Sequence, residues 1–186
     1  MGKGKCVKPL DRFLQRWRIL KAKPFIPVGS RLLDVGCADG FLYKKYSSRI
    51  ADYVGIDPIL KSSTRHENYQ LIAGRYPNDL PKGPPFDVIT MLAVVEHLSE
   101  ALQEQLAAAI FHDLAPKGRL IVTTPSPRVD PMLHVMKRIK IIDGMALEEH
   151  NAFEPIHVPR IFAELELILH RRSQLGLNHL FVFQRN

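Results

Sequence analysis

The feature that most constrains the fold is residues 32–42, Leu-Leu-Asp-Val-Gly-Cys-Ala-Asp-Gly-Phe-Leu, where an apolar run ends in an acid and a small-residue loop follows. The pattern predicts a buried strand, a tight turn and the start of a helix. Gly36 and Gly40 let the backbone turn and let a ligand approach closely, because neither carries a Cβ. The carboxyl end of such a strand is where an open α/β sheet binds its ligand.

The acid at the end of this run, Asp34, narrows the kind of ligand. The spacing of Gly36 and Gly40 differs from the dinucleotide glycine pattern and from the P-loop, which also requires Lys followed by Ser or Thr. A carboxylate before the loop would repel a pyrophosphate. It suits a cationic ligand such as a sulfonium amino acid.

A second apolar run, residues 53–57, also ends in an acid. A carboxylate at Asp57 can accept hydrogen bonds from both ribose hydroxyls of a nucleoside. The alternative is a turn-forming Asp-Pro after a strand. Two acids at neighbouring strand ends, with the glycine loop between them, favour the ligand-binding interpretation.

Four segments in order resemble the motifs of the class I S-adenosylmethionine-dependent methyltransferases, and the likeness runs from about Ser30 to the C-terminus. The loop at 34–40 is similar to the family's first motif, with Ala38 in place of the usual middle glycine. Asp57 matches the ribose-binding acid. The other two segments resemble the fourth strand with its substrate-facing end, and the turn with the fifth strand: residues 86–98 and 114–125.

The resemblance implies S-adenosylmethionine as the cofactor. It also implies a Rossmann-like α/β fold: a seven-stranded, mostly parallel sheet with helices on both faces and an antiparallel C-terminal hairpin. Residues 96–97, Glu-His, are similar to the type 11/12 and quinone-biosynthesis subgroup. The residues implied to bind the cofactor are Asp34, Gly36, Cys37, Ala38, Gly40, Asp57, Pro58, Gly74 and Arg75.

One position departs from the family pattern. The family often has an acid after the third strand that accepts a hydrogen bond from the adenine amino group, whereas this chain has Arg75. Arginine cannot accept a hydrogen bond. We therefore expect adenine to be held by backbone groups, neighbouring side chains or stacking.

The order of elements supports the same fold. Strands and helices alternate in the pattern, which predicts a parallel sheet with helices on both faces. Two closely spaced strands end the chain and can pair only as an antiparallel hairpin. We predict one domain, residues 1–186, with strands near 31–35, 52–56, 69–73, 86–91, 119–124, 167–174 and 177–184, and helices near 39–48, 58–64 and 99–113.

The net charge of +7 resides in residues 1–23, which contain eight basic side chains and one acid. Residues 24–186 hold 18 basic and 18 acidic side chains. A nucleic-acid enzyme usually has its positive charge along the substrate groove. The neutral remainder therefore argues against a nucleic-acid substrate.

The basic segment, residues 1–23, also has apolar residues at helical spacing. We expect an amphipathic helix whose apolar stripe packs on the domain. The alternative is a basic helix that contacts anionic lipid as a peripheral membrane element, or that closes over an apolar substrate. The stripe comprises Leu10, Phe13, Leu14, Trp17 and Leu20.

The two cysteines, Cys6 and Cys37, indicate the redox environment in which the protein works. A disulfide is not expected between a tail and a cofactor loop, which fits a reducing cytoplasm. We find no apolar run long enough to span a bilayer and no secretory segment, so we expect a cytoplasmic protein.

A long connection, residues 125–157, follows the fifth strand. In a fold whose sites lie at strand carboxyl ends, we expect it to form a lid over the acceptor pocket, although a core helix is an alternative for residues 131–142. Its Met and Leu side chains favour an apolar or amphiphilic acceptor.

The acceptor side is assigned to Glu96 and His97, which follow the fourth strand. A histidine can remove a hydroxyl proton during methyl transfer, although the pair can instead simply cap the next helix. Some relatives hold a metal here, and Glu96, His97 and His150 could do so, but Ala93 replaces one ligand. We therefore predict no metal, and His150 and His157 are otherwise candidates to line the acceptor pocket.

The sequence thus predicts a methyltransferase acting on a small acceptor, with O-methylation favoured over N- or C-methylation. An RNA methyltransferase is one alternative, because of the basic tail and the partial metal motif. A non-catalytic domain that binds the cofactor is another, because of Ala38 and Arg75.

Overall fold

The computed structural model describes residues 9–126, 153–173, 176 and 178–186, with side chains from residue 12 onward. The α-helices are α1 (Pro9–Ala22), α2 (Phe41–Tyr46), α3 (Glu100–Asp113) and α4 (Val158–Ile161). The strands are β1 (Ser30–Val35), β2 (Ile50–Asp57), β3 (Thr64–His66), β4 (Tyr69–Ala73), β5 (Phe86–Leu92), β6 (Leu114–Pro125), β7 (Glu166–Ser173) and β8 (Asn178–Gln184).

Among these residues, eight strands form one sheet in the order β3-β4-β2-β1-β5-β6-β8-β7. The five central strands, from β4 to β6, run parallel. Strand β8 lies antiparallel between β6 and β7. The mostly parallel sheet and the antiparallel C-terminal pair confirm the predicted fold class.

One strand was not predicted, and it takes the place of a predicted helix. The helix expected near 58–64 does not form; residues 58–63 make turns and bends, and β3 then pairs antiparallel with β4. Residues 61–68 are all exposed. A helix there would have no apolar side to bury, so the segment instead adds a short edge strand to the seven expected.

Both faces of the sheet are covered by helices. On one face, Leu33 and Ile89 pack with Leu106 and Ile110 of α3. On the other face, α1 and α2 pack over a cluster that includes Tyr53. Since α1 and α2 lie on the same face as the loop after β1, they position the site described below.

Helix α1 packs on the domain, but not through the predicted stripe. Ile19 and Ala22 are the buried side chains of α1, whereas Phe13 is 55% exposed and Leu20 is 52% exposed. The inward side of α1 also carries Arg18, which lies over polar strand ends. Phe13 and Leu20 of the predicted stripe therefore lie largely in solvent, while Leu14 and Trp17 are partly buried and the side chain of Leu10 lies outside the described part of the chain.

Candidate active site

The sheet brings the predicted acids to one edge. Strands β1, β2, β4 and β5 are parallel neighbours, so their carboxyl ends lie on the same side. Asp34 lies near the end of β1 and Asp57 ends β2. Glu96 follows β5 in a single helical turn, Val95–His97.

The loop after β1 turns through three residues with positive φ: Gly36 at 76°, Ala38 at 49° and Gly40 at 69°. A Cβ at Gly36 would collide with Cγ2 of Val94, so the glycine is required by close packing. Ala38 adopts the left-handed conformation although it is not glycine. The loop therefore keeps its turn despite this departure from the family motif.

Asp57 holds that loop in place. Its Oδ2 accepts a hydrogen bond from the Ala38 N–H at 2.8 Å, and its Oδ1 accepts one from the Ile59 N–H at 2.9 Å. Its backbone carbonyl accepts from the Gly74 N–H at 3.3 Å, which brings the end of β4 to the same place. An ionised carboxylate has about four acceptor positions, so Asp57 retains capacity for two ribose hydroxyls.

Asp34 is buried beneath the loop. Its Oδ2 accepts a hydrogen bond from the Tyr53 hydroxyl at 2.8 Å, and its Oδ1 accepts one from the Thr90 hydroxyl at 2.7 Å. Burial raises the pKa of Asp34 to about 6, although both hydrogen bonds lower it. At neutral pH this side chain is a buried anion, which suits a cationic ligand group.

Helix α1 covers this part of the site. A cavity of about 40 Å³ is lined by Asp34, Gly36 and Cys37 below and by Gln15 and Arg18 of α1 above. Sequence reasoning missed Arg18 because it expected the apolar stripe of α1, and not its basic residues, to face the domain. An acid and a base across one small cavity match the two charged groups of an amino acid.

The last predicted cofactor residues lie at the rim. Pro58 and Arg75 are exposed, and Gly74 is partly buried. A Cβ at Gly74 would lie 2.6 Å from Cβ of Asp79, whose Oδ2 accepts the Arg75 N–H at 2.7 Å. Asp79 is therefore an acid beside the end of β4, where the sequence had suggested that an acceptor was missing.

A second, larger cavity of about 640 Å³ opens beside Glu96, between the start of α3 and residues 153–161. Three carboxylates and one guanidinium line it, together with apolar and neutral polar side chains. The lining residues are Glu96, Leu98, Ser99, Glu100, Gln103, Glu104, Phe153, His157, Arg160 and Ile161.

Glu96 is the most buried carboxylate of this lining, at 4% exposure. Its Oε2 has no hydrogen-bond partner among the described residues. Burial raises the pKa of Glu96 to about 7, and the positive charge of Arg18 opposes that shift in part. A carboxylate with such a pKa can accept and release a proton near neutral pH.

Two of the predicted acceptor-side histidines can be located in the structure. His97 is exposed and does not line the Glu96 cavity, whereas His157, which was also a candidate to line the pocket, does. The catalytic role predicted for His97 stays a prediction. His150 lies outside the described residues, and within the described ranges no three His, Cys, Asp or Glu side chains are grouped to hold a metal.

A family model for the methyltransferase domain matches residues 6–181. The chain belongs to this family. The predicted recognition is thus confirmed, and with it the class of S-adenosylmethionine-dependent methyltransferases and their cofactor. Within the part of this methyltransferase that the structure describes, no helix has the length and apolar character needed to cross a membrane.

Two curated relatives are ubiquinone biosynthesis O-methyltransferases. The one from Pseudomonas fluorescens (strain SBW25) is 30% identical over 107 residues, covering 52% of this methyltransferase and 44% of the relative. The one from Aliivibrio fischeri (strain MJ11) is 25% identical over 140 residues, covering 67% of this methyltransferase and 58% of the relative. The chain thus spans about half the length of the curated relatives it matches.

Solved structures share the fold at low identity. N-methyltransferase NodS from Bradyrhizobium japonicum WM9 matches with a TM-score of 0.65 and 16% identity, over 94% of this chain and 98% of that one. The Burkholderia thailandensis 1,6-didemethyltoxoflavin-N1-methyltransferase was solved with S-adenosylhomocysteine. It matches with a TM-score of 0.71 and 14% identity, over 95% of this chain and 80% of that one. At these identities the likeness shows the fold of this methyltransferase.

Proposed function

We propose that this methyltransferase methylates a hydroxyl oxygen of a small acceptor bound in the Glu96 cavity, with Glu96 as the general base. The observation that carries the proposal is the buried Glu96 carboxylate, whose Oε2 has no partner among the described residues. A buried polar atom without a partner is costly, so its presence in a cavity wall points to a ligand.

The residues present fit the cofactor. Asp34 and Arg18 suit the ammonium and the carboxylate of its amino-acid end, and Asp57 suits the ribose hydroxyls. Asp79 is the candidate acceptor for the adenine amino group, in place of Arg75. When bound, S-adenosylmethionine supplies an electrophilic methyl group on a sulfonium.

The cavity beneath α1 sets a condition on cofactor binding. At about 40 Å³ it has room for roughly three waters, each of which needs ~10–15 Å³ by this measure, so it is smaller than the amino-acid end of the cofactor. Arg18 and Gln15 must therefore shift to admit the ligand. We expect α1 to move or repack when the cofactor binds.

The residues around Glu96 would carry out the acceptor step. The acceptor hydroxyl would give its proton to the Glu96 carboxylate as its oxygen takes the methyl group, whose bond to the sulfonium sulfur would break to leave a neutral thioether. The proton later leaves Glu96 for solvent. Since methyl transfer from a sulfonium depends largely on alignment, the cavity wall contributes by orienting the acceptor.

The charge of the cavity favours a neutral or cationic acceptor. Glu96, Glu100 and Glu104 line it against a single Arg160. Such a wall would repel a phosphate backbone, and the excess positive charge of the chain lies in residues 1–23 instead. An RNA substrate is therefore disfavoured, while the relatives named as O-methyltransferases support a hydroxyl acceptor.

N-methylation is a second candidate, and the acidic lining of the same cavity favours it. Glu100 and Glu104 lie at the cavity wall and would attract a protonated amine. Before methylation the amine must lose a proton, and Glu96 would accept it. The two candidates thus share a base and differ in the atom that receives the methyl group.

Product identification separates the candidates. The protein is incubated with methyl-labelled S-adenosylmethionine and either 4-hexylcatechol or 4-hexylbenzylamine, and products are identified by mass spectrometry. We expect a methyl ether from the catechol, with its formation abolished by Glu96→Gln and retained by Glu67→Gln, an exposed control. Transfer to the amine alone would replace the hydroxyl assignment, and full transfer by Glu96→Gln would refute the base.

A further inference from the structure

The side of α1 that faces away from the sheet carries an apolar ridge. It consists of Phe13, Trp17 and Leu20, which are four and three residues apart and so share one side of the helix. Phe13 is 55% exposed and Leu20 is 52% exposed. The rings of Phe13 and Trp17 lie 6.2 Å apart, so the ridge is continuous.

Basic side chains flank this ridge on both sides. At 100° per residue, Arg12 and Arg16 lie along one border and Lys21 along the other. The Lys21 Nζ lies 4.9 Å from the centre of the Trp17 ring. Long basic side chains beside an apolar strip can cover it with their stems and place their charges above it.

The opposite side of the helix is already occupied. Ile19 and Ala22 are buried against the domain, and Gln15 and Arg18 line the cofactor cavity. Phe13 and Leu20 are therefore not used for packing within the described chain, whereas Trp17 between them is partly buried. Exposed apolar side chains bordered by positive charge call for a partner that is apolar inside and anionic at its surface.

We propose that the outward ridge of α1 is a peripheral membrane-binding surface for anionic phospholipid. Residues 1–23 carry eight basic side chains against one acid, so charge complementarity favours an anionic surface. A second copy of the chain is a poorer partner, because pairing two such ridges would bring like charges together. The ridge has the form of an interfacial helix, which lies in the plane of the membrane with its apolar side inserted.

Docking in this way orients the rest of the molecule. The same helix that inserts its outer side into the lipid surface covers the cofactor cavity with its inner side. The site would then lie next to the bilayer, within reach of acceptors that partition into lipid. The membrane proposal does not depend on methyl transfer, since it is tested with vesicles alone.

The test is co-sedimentation of the full chain with vesicles of phosphatidylcholine, with and without phosphatidylglycerol. We expect binding only to the anionic vesicles, with release as salt is raised, because exposed charges are screened. Phe13→Ser with Leu20→Ser should lower the partition constant at least tenfold. The matched control is Ile59→Ser with Ile156→Ser, two side chains that are 67% and 74% exposed elsewhere and should leave binding unchanged.

The charged border is tested in the same assay. Each basic residue near an anionic surface contributes roughly a fivefold factor, so Arg12→Gln with Lys21→Gln should weaken binding about 25-fold. The control, Lys61→Gln with Lys82→Gln, removes the same charge from exposed positions away from α1. All of these side chains are exposed, and thermal melting of each variant verifies its folding.

Three outcomes overturn the proposal. The first is wild-type protein that remains in the supernatant with anionic vesicles at low salt. The second is an equal loss of binding in the ridge variant and its control. The third is a wild-type dimer that Phe13→Ser with Leu20→Ser converts to a monomer in light scattering, without any vesicle binding, which would assign the ridge to a second copy.

Discussion

The two halves of the candidate site differ in how their carboxylates are satisfied. At the ends of β1 and β2, Asp34 and Asp57 each accept two hydrogen bonds from the protein. After β5, Glu96 retains an oxygen without a partner among the described residues. The two carboxylates of the cofactor half are thus held in place before any ligand arrives, whereas the acceptor half keeps a group that can take up a proton.

The pKa values of the two acids differ as well. Burial raises the pKa of Asp34 to about 6 and that of Glu96 to about 7, and hydrogen bonds oppose the shift in both cases. At pH 7 Asp34 is therefore mostly ionised, and about half of Glu96 is. A group that is mostly ionised suits binding of a cation, and one near its midpoint suits proton exchange.

The largest effect should come from the acceptor half. Glu96→Gln keeps the shape of the side chain but removes its basicity, so turnover should fall by about 10²–10⁴-fold. S-adenosylhomocysteine affinity, measured by calorimetry, should stay close to wild type because Glu96 lies in the other half. In the wild type, turnover should fall at acidic pH with a midpoint near the Glu96 pKa of about 7, and this pH dependence should disappear in Glu96→Gln.

His97→Ala is the companion variant, because His97 is the neighbouring residue and is exposed. If Glu96 is the base, His97→Ala should change turnover by less than about tenfold. A collapse in His97→Ala with normal turnover in Glu96→Gln would transfer the role to the histidine, as the sequence alone suggested. A metal role predicts a different result, in which a chelator abolishes activity and a divalent ion restores it.

Folding stability should also report on Glu96. Since its folded pKa is raised above the ordinary 4.5 to about 7, the folded state favours the protonated form, and stability is lost as pH rises through this range. The loss should approach about 3 kcal/mol by pH 8. Denaturant unfolding of Glu96→Gln should lack this component. An unchanged pH dependence in that variant would show that Glu96 is not desolvated.

Much of this architecture could be predicted because each cue is local. Alternating apolar runs gave the parallel strands, and the short gap near residue 175 gave the antiparallel pair β7 and β8. The prediction of a helix at 58–64 was wrong. It rested on the spacing between the flanking strands, but the polar residues of this segment gave a helix no apolar side to bury. The connection at 127–152, predicted as a lid, lies outside the described residues.

The site was predictable to the extent that its residues follow strands. Asp34, Gly36, Ala38 and Asp57 do come together. Arg18 was missed because it reaches the site from α1, and no local pattern specifies such a tertiary contact. Which side of α1 packs on the domain could not be predicted either, since an amphipathic pattern defines two sides of a helix but not what each side faces.

On the cofactor half, Asp57→Ala should weaken S-adenosylhomocysteine binding tenfold or more, because it removes a charge-assisted acceptor of about 1.5–3 kcal/mol. It also releases the N–H groups of Ala38 and Ile59, so stability should fall as well. Asp57→Asn keeps one acceptor oxygen and should be milder in both measurements.

Asp39→Ala is the matched control, since Asp39 lies in the same loop but is exposed and forms an ion pair with Lys44 at 3.5 Å. We expect calorimetry to give an S-adenosylhomocysteine affinity near that of the wild type for this variant. Unchanged binding in Asp57→Ala, or an equal loss in Asp39→Ala, would contradict the assignment of the ribose to Asp57.

The smallest expected effect separates binding from packing beneath the loop. Tyr53→Phe removes one of the two hydrogen bonds that lower the pKa of Asp34. Asp34 should then protonate at a higher pH, and S-adenosylhomocysteine should lose a partner for its ammonium group. We expect a two- to fivefold loss of affinity at pH 6.5 that recovers at pH 8.5, where Asp34 is ionised again. Tyr43→Phe is the control, because its ring packs 5.2 Å from Tyr53 while its hydroxyl reaches Asn68 and not Asp34. A loss in Tyr53→Phe that is the same at both pH values would indicate altered packing, and would leave the charge of Asp34 without a role in holding the cofactor.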